Sequence, residues 1–240
     1  MTIRFLLIFA TVGALAAADP SDGFVKLFNG TNLAGFDTFL KDRGLNEDPD
    51  GVFRVRDGVI HVSGTEYGYI ITKREYENYH LRAEFKWGVQ THAPRKDVAR
   101  DSGILFHVVG PDQVWPKSVE LQMIEGRTGE IILVGEGTSI TRDGETKTRG
   151  AGGTARFARY NQGPWKGDLG YRDPVAEVEN PHGEWNLLEL LADGDTIKYL
   201  VNGKAVNHGT ATKPSRGRIL FQSEGAELFF RNIQIRPIRK

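Results

Sequence analysis

Apolar and polar residues alternate with period two along much of this chain, the signature of half-buried strands. Between Tyr79 and Val89, Leu81, Ala83, Phe85 and Trp87 alternate with Arg82, Glu84 and Lys86. The stretch Asp101–Gly129 carries two more such runs. In the first, Ile104, Phe106 and Val108 share a face, and Gly103, Leu105 and His107 take the other. After a turn-rich link, Gly110-Pro111-Asp112 to Trp115-Pro116, the second places Val119, Leu121 and Met123 opposite Ser118, Glu120 and Gln122. Shorter strands are predicted at Phe24–Phe28, Val52–Val55, Val59–Val62, Tyr69–Thr72, Glu130–Val134, Trp185–Leu191, Thr196–Val201, Gly217–Ser223 and Leu228–Ile235. Asn29-Gly30, Asp57-Gly58 and Asn202-Gly203 supply turn chemistry between them. Lys41–Asp50 reads as a charged loop. Gly135–His182, rich in Gly, Thr, Arg and Pro, reads as a long loop and a candidate lid. No amphipathic helix beyond a turn or two is evident. The pattern predicts an all-β protein, a two-sheet antiparallel β-sandwich.

The amino terminus departs from this pattern. Arg4, the apolar run Phe5–Val12 and Ala16-Ala17-Ala18 read as a signal peptide over residues 1–18, followed by a single domain, residues 19–240. The expectation is an exported protein, periplasmic or extracellular, with no membrane insertion after signal cleavage, because the apolar run falls short of the ~20 residues of a span. There is no cysteine, so thiolate chemistry and disulfides are excluded, and a chain of 240 residues can bury its core without them. Lys plus Arg and Asp plus Glu both number 31, so neither nucleic acid nor an anionic membrane is implied as a partner.

If the apolar rows of the two focal strands meet in one core, Asp101, His107, Glu120 and Gln122 gather on the opposite surface. Carboxylate, imidazole and amide in mid-strand need partners or a ligand. Glu120, His107 and Lys117 are therefore the candidate catalytic residues. Gln122, Trp115, Asp101, Glu224 and Arg82 are the candidate substrate contacts. Each has a structural competitor. An ion pair with Arg82 or Arg231 would explain Glu120, a capped loop His107, a solvated turn Lys117, and a plugged sandwich end Trp115. Neither a His-x-x-x-His pair nor an acidic cluster with ligand spacing occurs, so a divalent cation stays open and no cofactor is called for.

Several blocks resemble a known family. They are Phe24–Leu33 with Gly35-Phe36, Asp101-Ser102-Gly103-Ile104, Trp115–Gln122, Gly183-Glu184-Trp185-Asn186, Asn202-Gly203 and Phe230–Ile233. Together, and in this order, they are similar to the 3-keto-disaccharide hydrolase domain family. The resemblance implies a jelly roll of the concanavalin A-like lectin/glucanase type, with oligosaccharide or glycoside bound on the concave face. It also implies action on sugars already oxidised at C3. Such a ketone acidifies the C2 hydrogen and permits β-elimination and hydration, with Glu120 and His107 as base and acid in either order and Lys117 or a divalent cation at the oxyanion. Two other functions are weighed. One is a non-catalytic, lectin-like carbohydrate-binding module. The other is a conventional glucanase, disfavoured because Gln122 stands where laminarinase-type enzymes carry an acid and Glu125 lies an odd number of positions from Glu120.

Overall fold

Alternating sequence becomes a sandwich in this computed structural model, which describes residues 22–96, 98–162 and 177–239. The predicted signal segment lies outside the described residues. The first strands are β1 (Val25–Lys26), β2 (Phe36–Leu40), β3 (Gly44–Leu45), β4 (Phe53–Arg56), β5 (Val59–Val62) and β6 (Gly68–Thr72). The middle of the chain forms β7 (Tyr79–Thr91), β8 (Asp101–Val109), β9 (Lys117–Ile124), β10 (Glu130–Val134), β11 (Ser139–Arg142), β12 (Glu145–Thr148) and β13 (Ala155–Phe157). The last are β14 (Asn186–Asp193), β15 (Thr196–Val201), β16 (Lys204–Lys213), β17 (Arg218–Ser223) and β18 (Ala226–Pro237). They pair into two sheets. One runs β12-β11-β16-β15-β14-β7-β18-β5-β4, with β1 also on β18; the other runs β13-β10-β9-β8-β17-β6-β2-β3. All named pairings are antiparallel.

The two sheets meet through the apolar rows. Leu81, Ala83, Phe85 and Trp87 of β7 and Leu228 and Phe230 of β18 face Ile104, Phe106, Val119, Leu121, Met123 and Phe221 of the other sheet. Phe221 and Phe230 meet across the gap with ring centroids 5.3 Å apart, and Phe106 meets Tyr199 at 5.9 Å. The Tyr199 hydroxyl donates across the core to the backbone carbonyl of Glu120, 3.3 Å away. Burying an aliphatic or aromatic side chain in such a layer is worth about 1.5–3 kcal/mol, so these rows fix which face of β9 looks outward.

The stretch expected to be loop after Gly135 is structured in its described part. Strands β11 and β12 form a hairpin added to the first sheet, and β13 pairs with β10 at the edge of the second. Residues 163–176 of the candidate lid lie outside the described residues.

One strand breaks its own alternation. Phe106 lies opposite Val119, but Val109 lies opposite Lys117, so β8 holds one residue more than β9 across this interval. The register with β17 shifts over the same residues. His107 sits at the bulge with φ of 54°, in the left-handed region. The bulge swaps two side chains. Val108 joins Tyr69, Ile71, Leu105 and Leu220 in a small apolar cluster on the sheet's outer side, and His107 turns inward. There its ring meets Phe106 and Tyr79 edge-on, and Nδ1 lies 3.1 Å from the Pro214 carbonyl.

Burial lowers the His107 pKa to about 4, with the Pro214 hydrogen bond opposing the shift. The unfolded chain takes up this proton near pH 6.5, whereas the folded chain refuses it until about pH 4. Stability is therefore lost as pH falls through that window, by on the order of 3 kcal/mol from this group. Denaturant titrations at pH 7, 5.5 and 4.5 should show a shallower acid loss for His107→Asn, which tolerates the backbone conformation. An unchanged slope refutes the neutral, buried imidazole.

Candidate active site

The outer face of the second sheet carries a cleft of about 550 Å³, large enough for a small oligosaccharide. Its floor follows from register. Gln122 lies opposite Gly103 and Glu130, and Glu120 lies opposite Leu105 and Ile132. Asp101, Trp115, Glu120, Gln122 and Glu224 of the expected site residues all line it, joined by Gln222, Arg95, Arg149 and Arg156.

Glu120 is the most perturbed group among them. Only 5% of it is exposed, and burial pushes its carboxyl well above the usual carboxylate range. The charge of Glu224 adds to the rise; Arg156 and a hydrogen bond with Gln222 pull partly back. The carboxyl therefore stays protonated where a surface glutamate would be ionised. Space for it comes from Gly103: a Cβ there would lie 2.4 Å from Glu120 Oε1 and 2.5 Å from Gln222 Oε1. Gln222 is itself buried, and its Oε1 has no hydrogen-bond partner. A buried amide oxygen without a partner is costly, and here it borders an open cleft.

Asp101 and Gln122 are locked together. Gln122 Nε2 donates to Asp101, whose other oxygen takes an ion pair from Arg95. The loop bearing Arg95 is pinned by the His92 amide, which donates to the Gly225 carbonyl at 2.8 Å, in the turn between β17 and β18. Trp115 packs over Tyr67, ring centroids 6.1 Å apart.

Three expected residues are elsewhere. His107 is inside the sandwich, for the reason given above. Lys117 begins β9 in phase with the core-facing Val119 and Leu121, and its stem packs on Gly135, where a Cβ would lie 2.8 Å from the Lys117 Cα. Arg82 is on the first sheet, bound to Asp22 and Glu189 at 3.1 Å each and stacked on Phe24. Arg231 pairs with Glu84 at 2.7 Å, so neither arginine explains Glu120 as a structural ion pair. Glu125 lies beyond the end of β9 and bonds Arg100 and His182, away from the cleft. Asp101, Glu120 and Glu224 border one cleft, yet among the described residues no group of three or more His, Asp or Glu side chains is placed to hold a metal ion.

A family profile for the 3-keto-alpha-glucoside-1,2-lyase-like domain matches residues 23–236. The chain belongs to that family. No curated protein sequence matches it. Among solved structures, a protein of Parabacteroides distasonis provisionally assigned as a glycosyl hydrolase superposes with a TM-score of 0.60 at 21% identity, covering 91% of this chain and 95% of its own. A second such protein from the same organism gives 0.55 at 22% identity, covering 89% and 98%. The carbohydrate-binding module CBM66 of Bacillus subtilis gives 0.53 at 11% identity, covering 86% and 98%. At these identities the likeness is one of fold, the jelly roll of lectins and glucanases.

Within this 3-keto-alpha-glucoside-1,2-lyase-like domain, Arg95, Arg149 and Arg156 are the cleft side chains that strand patterning does not mark. Gln222 had a readable signal, since it alternates with Phe221 and Ser223 on the same face as Glu224. The arginines sit on loops or at a sheet edge, where no periodicity marks them.

Proposed function

We propose that this protein cleaves glycosides of 3-keto sugars by elimination and rehydration, with Glu224 as base and Glu120 as acid. The observation that carries the reading is a buried, proton-bearing carboxyl at Glu120 beside a second, more exposed carboxylate in one sugar-sized cleft. Two carboxyl groups whose surroundings push their proton affinities apart divide naturally into acid and base. The C3 ketone acidifies the C2 hydrogen, which lies within the reach of an ordinary carboxylate base. Glu224 takes that proton, and the C–H electrons form an enolate with its negative charge on the C3 oxygen. Collapse of the enolate makes a C1–C2 double bond and breaks the bond from C1 to the glycosidic oxygen. That oxygen leaves with the Glu120 proton. Glu120, now a carboxylate, takes a proton from water as the oxygen of that water adds to C1. Glu224, its proton exchanged with solvent once the leaving sugar has departed, delivers a proton to C2, and both side chains end as they began. Gln222 Oε1 and the Asp101–Gln122 pair are positioned to accept and fix sugar hydroxyls.

Turnover of a 3-keto-glucoside in deuterated water tests the sequence of steps. Expected is one solvent deuteron at C2 of the released 3-keto sugar. Release without label at C2 points to direct displacement, and binding without product points to a lectin.

A further inference from the structure

The cleft has two ends of different chemistry. Ile132 lies opposite Glu120 on one side and Arg156 on the other, so the three form a row across β9, β10 and β13. At about 4.8 Å per strand, the row runs about 10 Å from the acid, roughly the step from one sugar ring to the next. Amides and carboxyls of β8, β9 and β17 surround the Glu120 end. Arg149 and Arg156, with Gly153 and Thr154, wall the other.

The two arginines differ. Arg156 reaches Glu130 at 3.3 Å. Arg149 is half-buried in the wall, and its side chain bonds locally, Nη1 donating to the carbonyl of the next residue, Gly150, at 2.8 Å. It forms no ion pair with any described carboxylate. Its backbone is nonetheless fixed: its amide donates to Thr138 O and its carbonyl accepts from Gly137 N, both at 2.8 Å, across the base of the β11–β12 hairpin. A guanidinium held at the wall of a cleft without a carboxylate is a fork ready for one. Glu120, being protonated, does not cancel its field.

We propose that the sugar expelled in the reaction carries an anionic substituent, a carboxylate or a sulfate ester, received by Arg149. This assignment rests on the keto-glycoside reading, which places the reacting ring at Glu120 and the leaving ring over Ile132. The chemistry shared by the two anions is a planar or trigonal set of oxygens able to take two parallel N–H bonds.

The test compares 3-keto-glucosides whose leaving groups are glucose, glucuronate and glucose 6-sulfate. One or both acidic substrates should show a kcat/KM at least about tenfold above the neutral one, the scale of one charge-assisted hydrogen bond. Which acidic arm is faster distinguishes carboxylate from sulfate. Arg149→Gln should erase the preference through KM, whereas Arg56→Gln, on the other sheet, should leave it in place. Equal kcat/KM for all three substrates, or an Arg149→Gln loss equal for all three, overturns the assignment. If none is cleaved, the reaction fails on its own, and calorimetry with the unoxidised disaccharides still decides the subsite. Tighter binding of an acidic disaccharide, lost in Arg149→Gln, upholds it; equal binding of acidic and neutral sugars sinks it.

Discussion

Glu120→Gln is expected to lower kcat on a 3-keto-glucoside by about 10²–10⁴-fold, the range for loss of a positioned proton donor. The substitution keeps size and planarity but removes the proton that the leaving oxygen needs. It should not unfold the protein. The native carboxyl is already neutral, and the new amide can donate to the unpartnered Gln222 Oε1 at the same spot. Thermal stability at pH 7 should therefore match or exceed that of the parent. The pH profile adds a check. Because burial raises the Glu120 pKa, the group remains an acid well above pH 4.5, and activity should fall only as pH rises through the folded-state value. Retention of more than a tenth of parental kcat in the folded variant would remove Glu120 from the mechanism. Lys117→Ala is the matching control, since that side chain lies outside the cleft, and its turnover should stay within about twofold.

Phe221→Ala should cost about 3–5 kcal/mol of stability, the largest loss expected from any single truncation here. Phe221 is fully buried on β17 and touches both layers: its ring lies 5.3 Å from Phe230 on β18 and 6.2 Å from Phe36 on β2. Truncation leaves a void between sheets that cannot close without moving two β-sheets together. It also loosens the strand that carries Gln222 on its outer face and leads directly into Glu224, so activity should fall at temperatures where the variant is still folded. Guanidinium unfolding followed by tryptophan fluorescence measures the change. A loss below about 1 kcal/mol would mean that Phe221 does not bridge the layers as described.

Legibility in the sequence followed burial. Strands with one strongly apolar face were readable to the residue: β5 and β15 begin and end where alternation and turn chemistry place them. Strand β16 leaves little pattern, because Lys204–Lys213 is built of small and polar residues and its cue is the Asn202-Gly203 turn, which demands a returning strand. Strands β11 to β13 resemble loop in sequence for a related reason. They lie at sheet edges, with Ile140 and Phe157 as their buried apolar residues, so little periodicity survives.

The candidate site divides the same way. Pattern alone determined that this is an antiparallel β-sandwich and that Asp101, Glu120 and Gln122 share a face, because a strand whose apolar row is committed to the core has no freedom in where its polar row points. Which other groups join them was decided only in three dimensions. A one-residue bulge sent His107 inward. The sheet order β10-β9-β8-β17 brought Gln222 and Glu224 alongside residues about a hundred positions earlier. Loop packing against the β17–β18 turn supplied Arg95. Long-range pairing and a single inserted residue leave no local trace in a sequence, whereas hydrophobic burial leaves one every second position.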